Sequence, residues 1–117
     1  MNEFKRGDTF AFKTQITFKD GKTPVSKKDI DTLFVTCREK PEKHFPIIFQ
    51  KKLEDVQVDS DGYCHVIFKP KDTENLSYKT YYFDIEVTMK SGYRKTNLHA
   101  FKLTEECTTH TGDPNGN

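Results

Sequence analysis

The residues able to do chemistry are few and scattered. His44, His65, His99 and His110 stand far apart, without the H-x-x-x-H or Cys/His knuckle spacing that gathers three ligands around a zinc ion. They are expected to face solvent. Cys37, Cys64 and Cys107 are an odd number with no C-x-x-C spacing, which reads as three free thiols kept in a reducing compartment. Asp59-Ser60-Asp61-Gly62 resembles the start of a calcium loop, but position twelve counted from Asp59 is Pro70, where such a loop needs a bidentate glutamate. A hairpin turn is the better reading. Asp72 and Glu74 read as helix-terminus carboxylates rather than as an acid/base pair. There is no G-x-S-x-G elbow, and no serine or cysteine has an arguable histidine partner. With six glycines in all, nothing suggests a phosphate loop. Arg6-Gly7-Asp8 spells a cell-adhesion tripeptide, yet glycine and aspartate before a strand are ordinary turn chemistry. No residue is assigned a catalytic, cofactor-binding or metal-binding role. No cofactor is expected, and neither is enzyme activity.

The elements that would carry these residues repeat with period two. From Thr9 to Phe18 the even positions read Phe10, Phe12, Thr14, Ile16 and Phe18, a strand with one buried side. Asp20-Gly21 and Pro24 end it. In Ile30 to Glu39, Leu33, Val35 and Cys37 share one face while Phe34, Thr36 and Arg38 share the other, and Pro41 stops the strand. Phe45 to Leu53 follows, with Pro46 suited to its start or to an edge. Val56 and Val58 lead through Asp59-Ser60-Asp61-Gly62 into Cys64, Val66 and Phe68, a hairpin. Tyr81 to Met89 alternates most cleanly, and Lys90-Ser91-Gly92 turns it into Tyr93 to Leu103. There Leu98 and Phe101 are both expected inward, which requires a bulge. A helical turn near 71–77 could be capped by Asp72 and carry Leu76 inward.

About seven short strands with turn chemistry between them are the pattern of an immunoglobulin-like antiparallel β-sandwich, an all-β fold. Tyr81 stands where such sandwiches place a corner tyrosine bonded to upstream backbone, and Phe83 then takes the place of the usual cysteine. Cys37, on the expected partner strand, meets no second cysteine. The core is therefore expected to hold by burial of rings, from ten Phe and five Tyr. Residues 1–105 form one domain by this reading, with Met1 to Lys5 open to fraying. Residues 106–117 are a tail, because Thr108 to Asn117 contains no apolar residue.

Composition closes off several classes of partner. The chain has 117 residues, 19 Lys+Arg against 18 Asp+Glu and a net charge of +1. That balance gives no electrostatic case for nucleic acid. No stretch approaches the roughly 20 apolar residues of a membrane-spanning helix, and Met1 to Gly7 holds no signal-peptide core.

Several segments together resemble small immunoglobulin-like proteins of tailed phages and prophages, of the baseplate upper and tail accessory type. They are Arg6-Gly7-Asp8-Thr9-Phe10, Asp20-Gly21-Lys22-Thr23-Pro24, the Leu33–Arg38 strand, Lys71-Asp72-Thr73-Glu74-Asn75-Leu76 before Tyr81-Tyr82-Phe83-Asp84-Ile85, and Thr96 with Phe101-Lys102-Leu103-Thr104. Thr80 stands where those proteins have a glycine before the corner tyrosine, and His99-Ala100 replaces a later one. The resemblance implies a non-enzymatic structural protein of a virion, made in a bacterial cytoplasm. Its partners would be other virion proteins, or further copies of itself in a homo-oligomer. Phe34, Tyr82 and Tyr93 are the expected exposed contact aromatics. The alternative is a ligand-binding module of the same fold that grips cell-wall or surface glycan, against which the absence of tryptophan counts.

Overall fold

The computed structural model describes residues 2–105; the expected tail 106–117, with Cys107 and His110, lies outside the described residues. Among the described residues eight strands form two sheets. They are β1 (Asn2–Lys5), β2 (Phe10–Gln15), β3 (Ile30–Arg38), β4 (Ile47–Lys52), β5 (Gln57–Val58), β6 (Tyr63–Phe68), β7 (Thr80–Met89) and β8 (Arg94–Thr104). One sheet has the order β1-β8-β7-β3-β4 and the other β2-β6-β5. With β7 and β8 beside β3 in one sheet and β2 beside β6 in the other, this is an immunoglobulin-like β-sandwich. All ladders are antiparallel except that of β1, which runs parallel to β8 with Phe4 opposite Leu103.

The N-terminus is thus an ordered strand from Asn2, rather than a frayed end. Phe4 explains it: its ring stacks on Phe10 with centroids 3.7 Å apart, so four residues gain a ladder and an aromatic anchor together. At the second strand the regular ladder ends at Gln15 instead of reaching Phe18. Beyond it the Ile16 amide still donates to the Gly62 carbonyl, and Thr17 bridges to Pro24.

Alternation in β3, β6 and β7 puts Leu33, Val35, Cys37, Cys64, Val66, Phe68, Tyr81, Phe83, Ile85, Val87 and Met89 into the core. Phe68 sits at its centre, with ring centroids of Phe10, Phe49, Phe83 and Phe101 between 4.8 and 5.5 Å away. Offset and edge-on ring pairs at such separations add roughly 0.5–1.5 kcal/mol each beyond burial. Cys37 lies beside Phe83 on the neighbouring strand of the same sheet. Across the sandwich Phe83 meets Phe12 and Phe68 instead, at 5.0 and 5.4 Å. Both Cys37 and Cys64 are free thiols with no exposure.

The corner is built as the spacing implied. Tyr81 is buried, and its hydroxyl donates to the Ser77 carbonyl at 2.9 Å. The helical turn α1 spans Pro70–Thr73, earlier and shorter than 71–77. Asp72 does not cap it from outside. It is the third helical residue, and its carboxylate accepts the Lys69 amide at 2.8 Å. Pro70 at the first position supplies a preset φ and needs no amide partner. Thr73 is buried and accepts the Gly7 amide at 3.1 Å, while Arg6 donates to the Leu76 carbonyl at 3.2 Å and lies over the Tyr78 ring at 4.2 Å. Arg6-Gly7 is therefore a clamp between β1 and the corner. Leu76 packs against the core, as the sequence suggested.

Candidate functional site

Three places gather polar or exposed side chains: the inner seam beside β8, the outer face of the five-stranded sheet, and a cleft between β4 and β6.

The seam corrects the expected bulge. β7 and β8 pair without interruption, with Phe83 opposite His99 and Asp84 opposite Leu98. Side chains alternate strictly in such a ladder, so His99 points in and Leu98 points out. The His99 ring lies 4.5 Å from that of Phe12 and 5.3 Å from that of Phe83. Its Nε2 is buried with no hydrogen-bond partner among the described residues. Burial holds its pKa below the ordinary 6.5, since a charged ring loses hydration there. His99 is thus not the solvent-facing histidine expected.

His65 faces away from the core and meets Asp59 Oδ2 at 3.2 Å. Asp59 works as a turn residue: its Oδ1 accepts the amides of Asp61 and Tyr63 at 2.9 and 3.0 Å. The His65 contact first, then these amides, hold its pKa below the usual carboxylate range. The hairpin reading of 59–62 stands, with Gly62 at φ +78° and its carbonyl accepting the Ile16 amide at 2.7 Å. Among the described residues no group of three His, Cys, Asp or Glu side chains converges on a point that could hold a metal ion. No helix there is long and apolar enough to cross a membrane. The core thiols are shielded: burial, with a contribution from the Asp72 charge, pushes Cys37 up to about 12, and burial alone pushes Cys64 up to about 11.

On the outer face, Leu98 is 54% exposed and Ile47, at the start of edge strand β4, is 50% exposed. Phe34 and Tyr82 are half-buried rather than exposed, and Tyr93 packs against the core. The two large apolar groups standing free on this face are therefore Leu98, which the sequence reading placed inward, and Ile47, which it did not single out. Around them lie Arg38, which donates to the Phe45 carbonyl at 3.0 Å, and Gln50, which donates to Thr36 at 3.0 Å. Asp84 is pushed above its ordinary pKa by burial, with Arg38 opposing the rise.

The cleft has a volume of about 530 Å³ and is lined by residues of β4, β5, β6 and α1 together with Glu54 and Asp55. Across it Lys51 Nζ meets Asp72 Oδ2 at 2.9 Å, both side chains nearly buried. Asp72 thus closes α1, ties β4 to it and forms part of the cleft wall. Comparison of the chain with family models and with curated proteins returns no match.

Proposed function

We propose that this chain is a non-catalytic interaction module that works through the outer face of its five-stranded sheet, as a structural part of a phage or prophage virion at the tail or baseplate. The observation that supports the interaction reading is Leu98. A regular ladder turns it to solvent opposite Asp84, beside Tyr82 and Arg38. An exposed leucine and half-buried aromatic rings next to charged groups, here Arg38, Asp84 and Glu86, suit the desolvated centre and polar rim of a subunit contact. Individual contacts of this size are weak, and repetition in a symmetric particle multiplies them. The virion placement rests on the resemblance in the Arg6–Phe10, Asp20–Pro24 and Lys71–Ile85 segments.

The test is mass spectrometry of particles purified from the bacterium that carries the gene, with wild-type chain or with Leu98→Glu. The wild-type protein is expected in the particles at fixed stoichiometry. The variant is expected to keep its melting temperature within a few degrees and to be depleted from particles about tenfold or more, the scale of one lost hot-spot contact. Particles lacking the wild-type chain, or holding the variant undiminished, would sink the proposal. Glycan-array binding that survives Leu98→Glu would favour the glycan-recognition alternative.

A further inference from the structure

We infer that the cleft between β4 and β6 receives an extended segment of a partner protein, which adds as a short strand to the free edge of β6. The backbone carries the argument. The Gly62 carbonyl bonds to Ile16 on the β2 side, and the Tyr63 carbonyl accepts the Asp59 amide on the β5 side. Amide and carbonyl groups alternate sides along a strand, so Cys64 and Val66 face β2 while His65 and Ile67 face the other way. His65 is opposite Gln57, the first residue of β5. Among the described residues no strand continues opposite Ile67, because residues 53–55 coil into a 3-10 turn that leads back to β4. The Ile67 amide and carbonyl therefore point into the cleft that Ile67 lines. Lys69 has the same orientation, and its amide is already taken by Asp72. The vacant stretch is what a longer β5 would occupy.

The charges flanking this edge define the occupant. Lys69 and Lys71 stand at the α1 end, and Glu54 and Asp55 at the β5 end. Among the described residues the side chains of Lys69, Lys71 and Glu54 have no hydrogen-bond or ion-pair partner. A strand antiparallel to β6 starts near Lys69 and finishes near Gln57. The fitting segment is thus acidic at its N-terminal end, basic at its C-terminal end and alternating β-formers between, with main-chain bonds giving affinity and the end charges giving direction. This inference deepens the interaction reading and rests on it.

The probes are the acetylated, amidated heptapeptide EEVTVKK and its charge-swapped counterpart KKVTVEE, titrated at millimolar concentration into isotope-labelled protein and followed by amide chemical shifts and hydrogen exchange. EEVTVKK is expected to shift the amides of Gln57, Ile67 and Lys69, to slow exchange at Ile67 about tenfold, and to bind about threefold or more tighter than KKVTVEE. Ile67→Pro removes the free amide without breaking a bond to β2, and should weaken binding about tenfold. If that variant unfolds, the exposed pair Lys69→Glu with Lys71→Glu gives a second test, which should reverse the preference between the two peptides. No shifts in the cleft at saturating solubility, or binding indifferent to all these changes, overturns the inference. Failure here with the chain still present in particles leaves the proposed function intact, whereas peptide binding with the chain absent from particles refutes the virion placement alone.

Discussion

His99→Leu should make the protein more stable at neutral pH and flatten its response to acid. Among the described residues, His99 Nε2 is the one buried side-chain nitrogen or oxygen without a hydrogen-bond partner. An orphan of this kind costs roughly 1–3 kcal/mol. Leucine removes it while filling a comparable volume against Phe12 and Phe83, and imperfect shape returns up to about 1.5 kcal/mol. A net gain of about 1 kcal/mol follows, which for a domain of this size raises the melting temperature by about 4–8 °C. The pH term has a definite sign. The folded state holds the His99 pKa below its ordinary 6.5, so the unfolded chain takes up the proton more readily. Stability from this site is complete above pH 6.5 and is lost as pH falls from there through the lowered native value, at no more than about 1.4 kcal/mol per pH unit. His44 and His65 are present in both proteins, so their contributions cancel in the difference. Urea unfolding followed by circular dichroism from pH 8 to pH 5 measures it. Wild-type and variant curves that run parallel across that range, or a variant less stable by about 1 kcal/mol at pH 8, would refute the account.

Tyr81→Phe keeps the stacking on Phe101 at 5.7 Å but loses the bond to Ser77, and should cost about 1–1.5 kcal/mol in the same unfolding experiment; an unchanged midpoint would deny the corner its role. Gly62→Ala should cost more than Gly21→Ala. Both have positive φ, yet a Cβ at 62 meets the Ile16 carbonyl oxygen at 2.7 Å whereas 21 opens on free space, so about 2 kcal/mol or more is expected against about 1. Equal losses would show that the approach to Ile16 is not limiting. In a Cys107→Ser background, Cys37 and Cys64 should resist a thiol reagent at pH 8 until the protein unfolds, because only the thiolate attacks and both pKa values lie near 11 to 12. Rapid labelling of the native state would contradict the buried placement.

Much of this architecture is legible in the chain because it is local. The alternation in Leu33–Cys37, Cys64–Phe68 and Tyr81–Met89 needs only period two, and the Tyr81 corner closes over four residues. Strand β1 was missed because its partner, Phe101–Thr104, lies about a hundred positions away, and nothing in Asn2–Lys5 but Phe4 is apolar. The misjudged Leu98 shows how register overrules hydropathy. The turn at Lys90-Ser91-Gly92, with the Met89 amide on the Tyr93 carbonyl, fixes every later position, and the slot between Phe12 and Phe83 falls to His99. A one-residue slip would reverse both side chains, but would also turn Phe101 and Leu103 out of the core. The cleft was invisible for another reason. It arises where Leu53–Asp55 leaves the sheet, so its walls come from segments far apart in the chain, and the free edge at Ile67 is a property of backbone that side-chain pattern does not record.

The ring cluster around Phe68 has a mechanical corollary. What fastens one layer to the other can be pulled open and can snap shut again with no bond made or broken, and no oxidant is needed to set it in the first place. A strained copy of this domain recovers simply by drying its rings against each other once more.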